Sequence, residues 1–255
     1  MTNFKILSTS LMAFLLMLNP GYCEDKKDDN FSKEQIDNIE KIVRDLMMRE
    51  PQLIEKALNA GAESAQAEED KKTAEALIKE KENLFNHAED PVLGNPKGSV
   101  SIVVFMDPYC GYCRKFESIL KDVAAEQKEL KIIYKAYPIL GPESVKASEE
   151  QLAAHKIGRF KDFHEAVYES AVRSRKERFD LATQNRIDLE KLKENIPGLS
   201  HATGAVDVEK QLRENMKLGQ RLGIEGTPAF VLGDQLVKGY VDKDTLLEMI
   251  KNLKK

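Results

Sequence analysis

In the segment VSIVVFMDPYCGYCRKFESIL (residues 100–120) a strand, a turn and a helix start follow one another. Val100 to Phe105 is a short, continuous apolar run, the pattern of a strand buried on both faces. Asp107, Pro108 and Tyr109 turn the chain. A helix is expected from Cys110 to about Gln127, then a second strand from Leu130 to Tyr134. Cys110 and Cys113 thus share the first turn of a helix that follows a strand. Unpaired backbone N–H groups and the positive end of the helix dipole converge there and favour thiolate over thiol. In pairs of this type the cysteine pKa falls to between about 3.5 and 7. Cys110 is therefore the candidate nucleophile. Cys113, one turn deeper, can attack a mixed disulfide and release it. Gly111 and Tyr112, between them, tune how the disulfide and the thiolate are held.

A structural zinc site is the competing use of such a pair, but it needs four ligands. The chain has no second Cys pair, and His87, His155, His164 and His201 lack the H-x₃₋₅-H spacing. No metal is expected. The histidines are assigned to surface or packing positions, and the redox-active Cys110–Cys113 disulfide needs no separate cofactor.

Towards the C-terminus, Gly226-Thr227-Pro228-Ala229 precedes the apolar run FVL. With a CxxC-opened helix in the chain, this is the loop expected to face the sulfurs. A cis Thr227–Pro228 bond there is expected to expose backbone groups beside Cys110 for a substrate strand, while Pro228 itself offers no N–H. An ordinary trans proline at a strand start is the alternative. Strands are expected at Ala229–Leu232 and Leu236–Gly239 around Gly233-Asp234, with helices at Val208–Leu222 and Thr245–Leu253. Between them, about 144–205 contains several amphipathic helical stretches, such as His155–Ser170. The order strand–helix–strand, helical block, hairpin, helix is that of an α/β thioredoxin fold with a helical insertion. The catalytic domain is placed at 91–255, with Pro91–Gly98 as a loop.

Towards the N-terminus, Leu11 to Leu18 (LMAFLLML) has signal-peptide length, is too short to span a bilayer, and is broken by Asn19, Pro20 and Gly21. Residues 1–23 are read as a signal peptide cleaved after Cys23. Lipidation of Cys23 is a weaker reading, because the bulky Tyr22 sits where a small residue is wanted. Of the three cysteines, cleavage leaves one pair, in an oxidising compartment. Residues 24–90 form an α-helical segment and linker. Ser32 and Gln35 make a capping box, and Ile36, Ile39, Val43 and Leu46 form a 3–4–3 apolar stripe; it either packs on its own domain or meets another copy in an oligomer, and the polar tract Ala62–Lys81 between it and the catalytic domain favours the oligomer. The formal net charge of −4 does not favour a nucleic-acid partner.

Val104 to Lys115 (VFMDPYCGYCRK) resembles the active-site segment of the periplasmic Dsb isomerases DsbC and DsbG, and Gly226-Thr227-Pro228-Ala229 and Val237-Lys238-Gly239-Tyr240 fit the same relatives. The helical 31–85 is instead similar to the DsbA-like ScsC and Com-family proteins, with their N-terminal oligomerisation segments. The resemblance implies a periplasmic thiol–disulfide oxidoreductase, with outer-membrane association open. Isomerase is its leading activity, with a DsbA-type oxidase as runner-up and a holdase or copper-handling scaffold as a third reading. It also implies a homo-oligomer (dimer or trimer) that acts on unfolded or misoxidised exported proteins and is served by a DsbD-type reductant or a DsbB-type oxidant. In DsbA and thioredoxin a buried acid lies six residues before the first Cys. Here Val104 holds that position, and Asp107 at the turn reads as a capping or surface residue, so no general base is assigned.

Overall fold

The computed structural model describes residues 31–170 and 174–253. The expected signal peptide and Cys23 lie outside the described residues. The chain divides into two compact units, Met1–Ala62 and Glu63–Lys255.

In the first unit, helix α1 (Lys33–Arg49) starts at the expected capping box, with Ser32 and Gln35 each bonding the other's backbone N–H. It buries none of its residues. Helix α2 (Gln52–Lys79) begins after Pro51 and runs on into the second unit.

The second unit opens on the end of α2 and the short helix α3 (Lys81–Phe85), where Leu77 and Leu84 are buried. Then come β1 (Val92–Gly94), β2 (Val100–Met106), α4 (Gly111–Glu126) and β3 (Leu130–Ala136). The helices α5 (Pro142–Lys156), α6 (Phe160–Ser170), α7 (Arg175–Gln184), α8 (Leu189–Glu194) and α9 (Thr203–Arg221) follow. The chain closes with β4 (Ala229–Leu232), β5 (Gln235–Lys238) and α10 (Lys243–Leu253). The sheet order is β1-β3-β2-β4-β5, with β2 and β3 parallel and the other pairs antiparallel. This is the thioredoxin-like α/β fold.

The apolar run of β2, interrupted only by the half-buried Ser101, is explained by burial on both faces. Ile102, Val104 and Met106 pack with Phe116 and Leu120 of α4 and with Leu246 and Ile250 of α10. Val103 and Phe105 point the other way, into a core with Leu77, Leu84, Leu218 and Leu222. The inserted helices have their own core around Leu152, Phe163, Val167, Ala182, Leu192 and Val208.

Two expectations are corrected. Pro91–Gly98 is not all loop. Val92, Leu93 and Gly94 pair with Ile133, Ile132 and Lys131, so this three-residue strand exists through its tertiary partner. Helix α9 starts at Thr203, ahead of Val208, and its N-cap Ala202 makes no side-chain cap bond. That start therefore carries no capping signature in the sequence.

Candidate functional site

Cys110 is the N-cap of α4, in extended conformation (φ −79°, ψ 120°), and its Sγ accepts the backbone N–H of Cys113 at 3.3 Å. Cys113 lies within the first turn and is fully buried, whereas Cys110 keeps a small exposed edge. Both are free thiols. The Cys113 backbone N–H is one that no helical carbonyl can satisfy, so the first turn supplies the donor directly.

The electrostatics of the two sulfurs diverge. The hydrogen bond from the Cys113 side chain does most to lower the Cys110 pKa. The backbone N–H groups of Cys113 and Tyr112 and the Thr227 side chain add to it, against burial, and Cys110 falls to about 5. Burial pushes the Cys113 thiol up, and the hydrogen bond to Cys110 pushes it further.

The Thr227–Pro228 peptide bond is cis, as expected. The Thr227 carbonyl lies 3.2 Å from Cys110 Sγ, as acceptor. The Pro228 carbonyl already accepts the Gly239 N–H at 2.9 Å, inside the β4–β5 hairpin. Tyr112 is exposed and stacks on Tyr240, with 5.7 Å between ring centroids, and Lys115 Nζ lies 5.5 Å from the centre of the Tyr112 ring. Thus Cys110, Gly111, Tyr112, Cys113, Thr227 and Pro228 form one site at the C-terminal end of β2. Tyr240 joins its rim.

Asp107 is not a surface residue. It is fully buried. Its Oδ1 accepts the Tyr109 N–H at 2.7 Å, and its Oδ2 accepts those of Ile139 and Leu140 at 2.8 and 3.0 Å. Its own N–H approaches Cys113 Sγ at 3.4 Å. Nor does it cap the helix, whose N-cap is Cys110; it holds loop N–H groups instead. One short, buried carboxylate thus satisfies three part-buried donors from two loops.

Two buried polar groups beside the sulfurs went unread in the sequence. In the inserted helices, Arg178 binds Glu150 through Nε and, at 3.0 Å, through Nη2. It also donates from Nη1 to Tyr109 Oη at 2.8 Å, next to Cys110. On α4, Glu117 is buried and accepts the Tyr134 hydroxyl at 2.8 and 3.0 Å, and His164 Nε2 lies 3.2 Å away. His164 is thus a buried residue of the site's surroundings. Polar residues on helices read as solvated faces, and their partners come from distant elements. Only the i, i+4 spacing of Cys113 and Glu117 pointed inward. Among the described residues, no group of three or more His, Cys, Asp or Glu is placed to hold a metal ion.

A family model described as Thioredoxin matches residues 86–252. The chain is similar to the Disulfide bond formation protein D of Bacillus subtilis (strain 168), 31% identical over 175 residues, which are 63% of this chain and 75% of that protein. Among solved structures it is similar to the catalytic domain of Proteus mirabilis ScsC, with 30% identity, a TM-score of 0.63, and 71% of this chain and 99% of that one covered. It is also similar to the thiol-disulfide exchange protein alpha-DsbA2 from Wolbachia pipientis, with 27% identity, a TM-score of 0.65, and 72% and 97% covered.

Proposed function

The chain belongs to the thioredoxin family as a Dsb-type thiol–disulfide oxidoreductase, and from that premise we propose that Cys110 and Cys113 are its redox pair and that it is a periplasmic protein disulfide isomerase. The observation that carries this reading is the split between the two sulfurs on one helical turn, with Cys110 lowered to about 5 and Cys113 buried and raised. At neutral pH Cys110 is a thiolate and attacks a wrong disulfide in an exported protein. The mixed disulfide persists until another substrate thiol resolves it, and Cys113 is the escape route. Tyr112 and Tyr240 give the substrate chain an aromatic surface beside the reacting sulfur.

Oligomerisation supports isomerase over simple exchange. Ile36, Ile39, Val43 and Leu46 are all exposed on α1, and a homodimer or homotrimer that buries them gathers several Cys110 sites around one substrate. The location rests on the apolar run Leu11–Leu18, and a DsbD-type reductant is the partner that keeps the pair reduced. Two observations favour a second reading, an oxidase recharged by a DsbB-type partner. The Bacillus subtilis relative is named for disulfide bond formation, and a stabilised thiolate makes the Cys110–Cys113 disulfide the more oxidising.

Alkylation trapping of the thiols in cells separates the two. A mostly reduced pair, with refolding of a scrambled disulfide-bonded substrate by the purified protein, is expected for the isomerase. A fully oxidised pair and no reshuffling would give the oxidase.

A further inference from the structure

The position six residues before Cys110 is the buried, apolar Val104, which can take no proton. Yet Cys113 is fully buried and must lose a proton each time it resolves a mixed disulfide. Glu117 is four residues further along α4, on the same helical face, where side chains stand about 5–6 Å apart at Cβ.

Glu117 lies at the centre of a buried polar cluster. Tyr134 of β3 donates to both of its oxygens. His164 of α6 brings Nε2 to 3.2 Å of Oε2 without forming a hydrogen bond. The Tyr168 hydroxyl, also on α6, is buried with no hydrogen-bond partner, and its ring centroid is 4.5 Å from that of His164. Cys113, Tyr134 and Tyr168 share one buried core. The charges that bear most strongly on the Tyr168 phenol, after burial itself, are those of Cys113 and Glu117, and together they push it well up. A cleft of about 280 Å³ reaches Glu117 and Tyr168 between Arg114 and Lys121 of α4 and Glu165 and Glu169 of α6. Lys121 binds Glu169 at 2.8 Å and lies 3.9 Å from Glu165. Solvent therefore has a route to the carboxylate, and an unpaired buried hydroxyl stands beside that route.

We infer that Glu117 is the proton acceptor for Cys113, working through water in this cleft, with Tyr168 and His164 as positioning residues. The inference rests on the redox role proposed for Cys110 and Cys113. In resolution, Cys113 Sγ–H passes its proton through water to a Glu117 oxygen. The electron pair left on Cys113 forms the bond to Cys110 Sγ, and the bond from Cys110 to the substrate sulfur breaks. The substrate sulfur leaves as a thiolate, reduced, while the dithiol is oxidised by two electrons. Glu117 returns its proton to the cleft. In the reverse direction the protonated Glu117 supplies the proton that the departing Cys113 needs.

Single-turnover reaction of the reduced full-length protein with oxidised glutathione separates the steps. Formation of the Cys110–glutathione mixed disulfide, which frees one glutathione, reports Cys110, and release of the second glutathione from the mixed disulfide reports Cys113. E117Q keeps the size of the side chain and an acceptor for Tyr134. It is expected to slow glutathione release about 10²-fold at neutral pH and to leave mixed-disulfide formation and the Cys110 titration unchanged. Release by E117Q should rise about tenfold per pH unit, as hydroxide replaces the carboxylate, to a higher pH than in the wild type. E117D should recover part of the rate, and Y168F should lose part of it. Wild-type release rates and pH profiles in E117Q and Y168F overturn the proposal. A wild-type protein that forms no mixed disulfide at Cys110 overturns the redox assignment, and this inference with it.

Discussion

At Cys110 the hydrogen bond from Cys113 and the backbone donors of the first turn outweigh burial and hold the thiol near about 5. A free cysteine titrates near about 8.5. Because the folded value lies below the unfolded one, the thiolate stabilises the reduced fold. That contribution is complete above about 8.5 and is lost as pH falls towards about 5. Two outcomes are expected. Thiolate absorbance of the reduced protein should show one midpoint near pH 5, absent from Cys110→Ser, with no second cysteine titrating below pH 9. The stability advantage of the reduced wild type over Cys110→Ser in urea should grow from pH 5 to 8.5. A midpoint near the free-thiol value would remove the basis for Cys110 as nucleophile. Asp107 is a second test at this scale, since its carboxylate receives the N–H groups of Tyr109, Ile139 and Leu140. Asp107→Ala strands three donors, and each lost bond to a charged group costs about 1.5–3 kcal/mol, less whatever water recovers. A destabilisation of roughly 3 kcal/mol or more is expected by chemical denaturation; under about 1 kcal/mol would mean that water replaces the carboxylate.

Helix α9 reaches the sheet through a glycine. A Cβ at Gly219 would fall 2.3 Å from Tyr137 Cε2 and 2.7 Å from its Cζ. Tyr137 is fixed there, its hydroxyl donating to the Ile224 carbonyl at 2.8 Å and its N–H to the Met106 carbonyl at 2.8 Å. Gly219→Ala gains about 1 kcal/mol of helix propensity but overpacks the contact at a cost of about 1–3 kcal/mol. The midpoint of urea unfolding should therefore fall, and a raised midpoint would show that Tyr137 yields freely. Nothing in the sequence marks this glycine, because its constraint comes from Tyr137, just past the end of β3, rather than from its own helix. The same holds for β1, which has no strand pattern of its own and pairs with Ile132 and Ile133. By contrast β2, α4 and the β4–β5 hairpin were legible, since binary pattern, turn residues and a helix start all agree within each. The six residues expected at the site do converge, because a CxxC helix start and a Thr-Pro strand start each carry a local signature. Glu150 and Arg178 carry none, and Glu117 has only its i, i+4 spacing from Cys113. A charged side chain on a helix has the same appearance in sequence whether solvent or a buried partner receives it.

At the scale of the whole molecule the two units differ in what they bury. Among the described residues, the three apolar cores all lie in the unit Glu63–Lys255, so it holds what it needs to fold alone. Helix α1 has 17 residues and buries none of them. A helix in a protein draws most of its stability from packing an apolar face, and the exposed Ile36, Ile39, Val43 and Leu46 of α1 ask for a partner. Each is 36–46% exposed, so burying the remainder contributes roughly 1 kcal/mol, about half the value for full burial. Four per chain, summed over two or three chains, are then comparable with the rotational and translational cost of association, which is about 4–15 kcal/mol or more. Sedimentation of the chain from residue 24 onward should give a dimer or trimer, and a form that also lacks residues 24–60 should sediment as a folded monomer. The shortened form retains Cys110, Cys113 and Thr227 in their unit, so its dithiol oxidation should proceed at close to the full-length rate. Reshuffling of scrambled substrates should fall severalfold, because several sites no longer surround one chain. If the proposed assembly shields Cys110, oxidation by a DsbB-type enzyme should become easier in the shortened form. A full-length monomer, or a shortened form with undiminished reshuffling, would show that the stripe on α1 serves some other contact and that isomerase activity is a property of the single site.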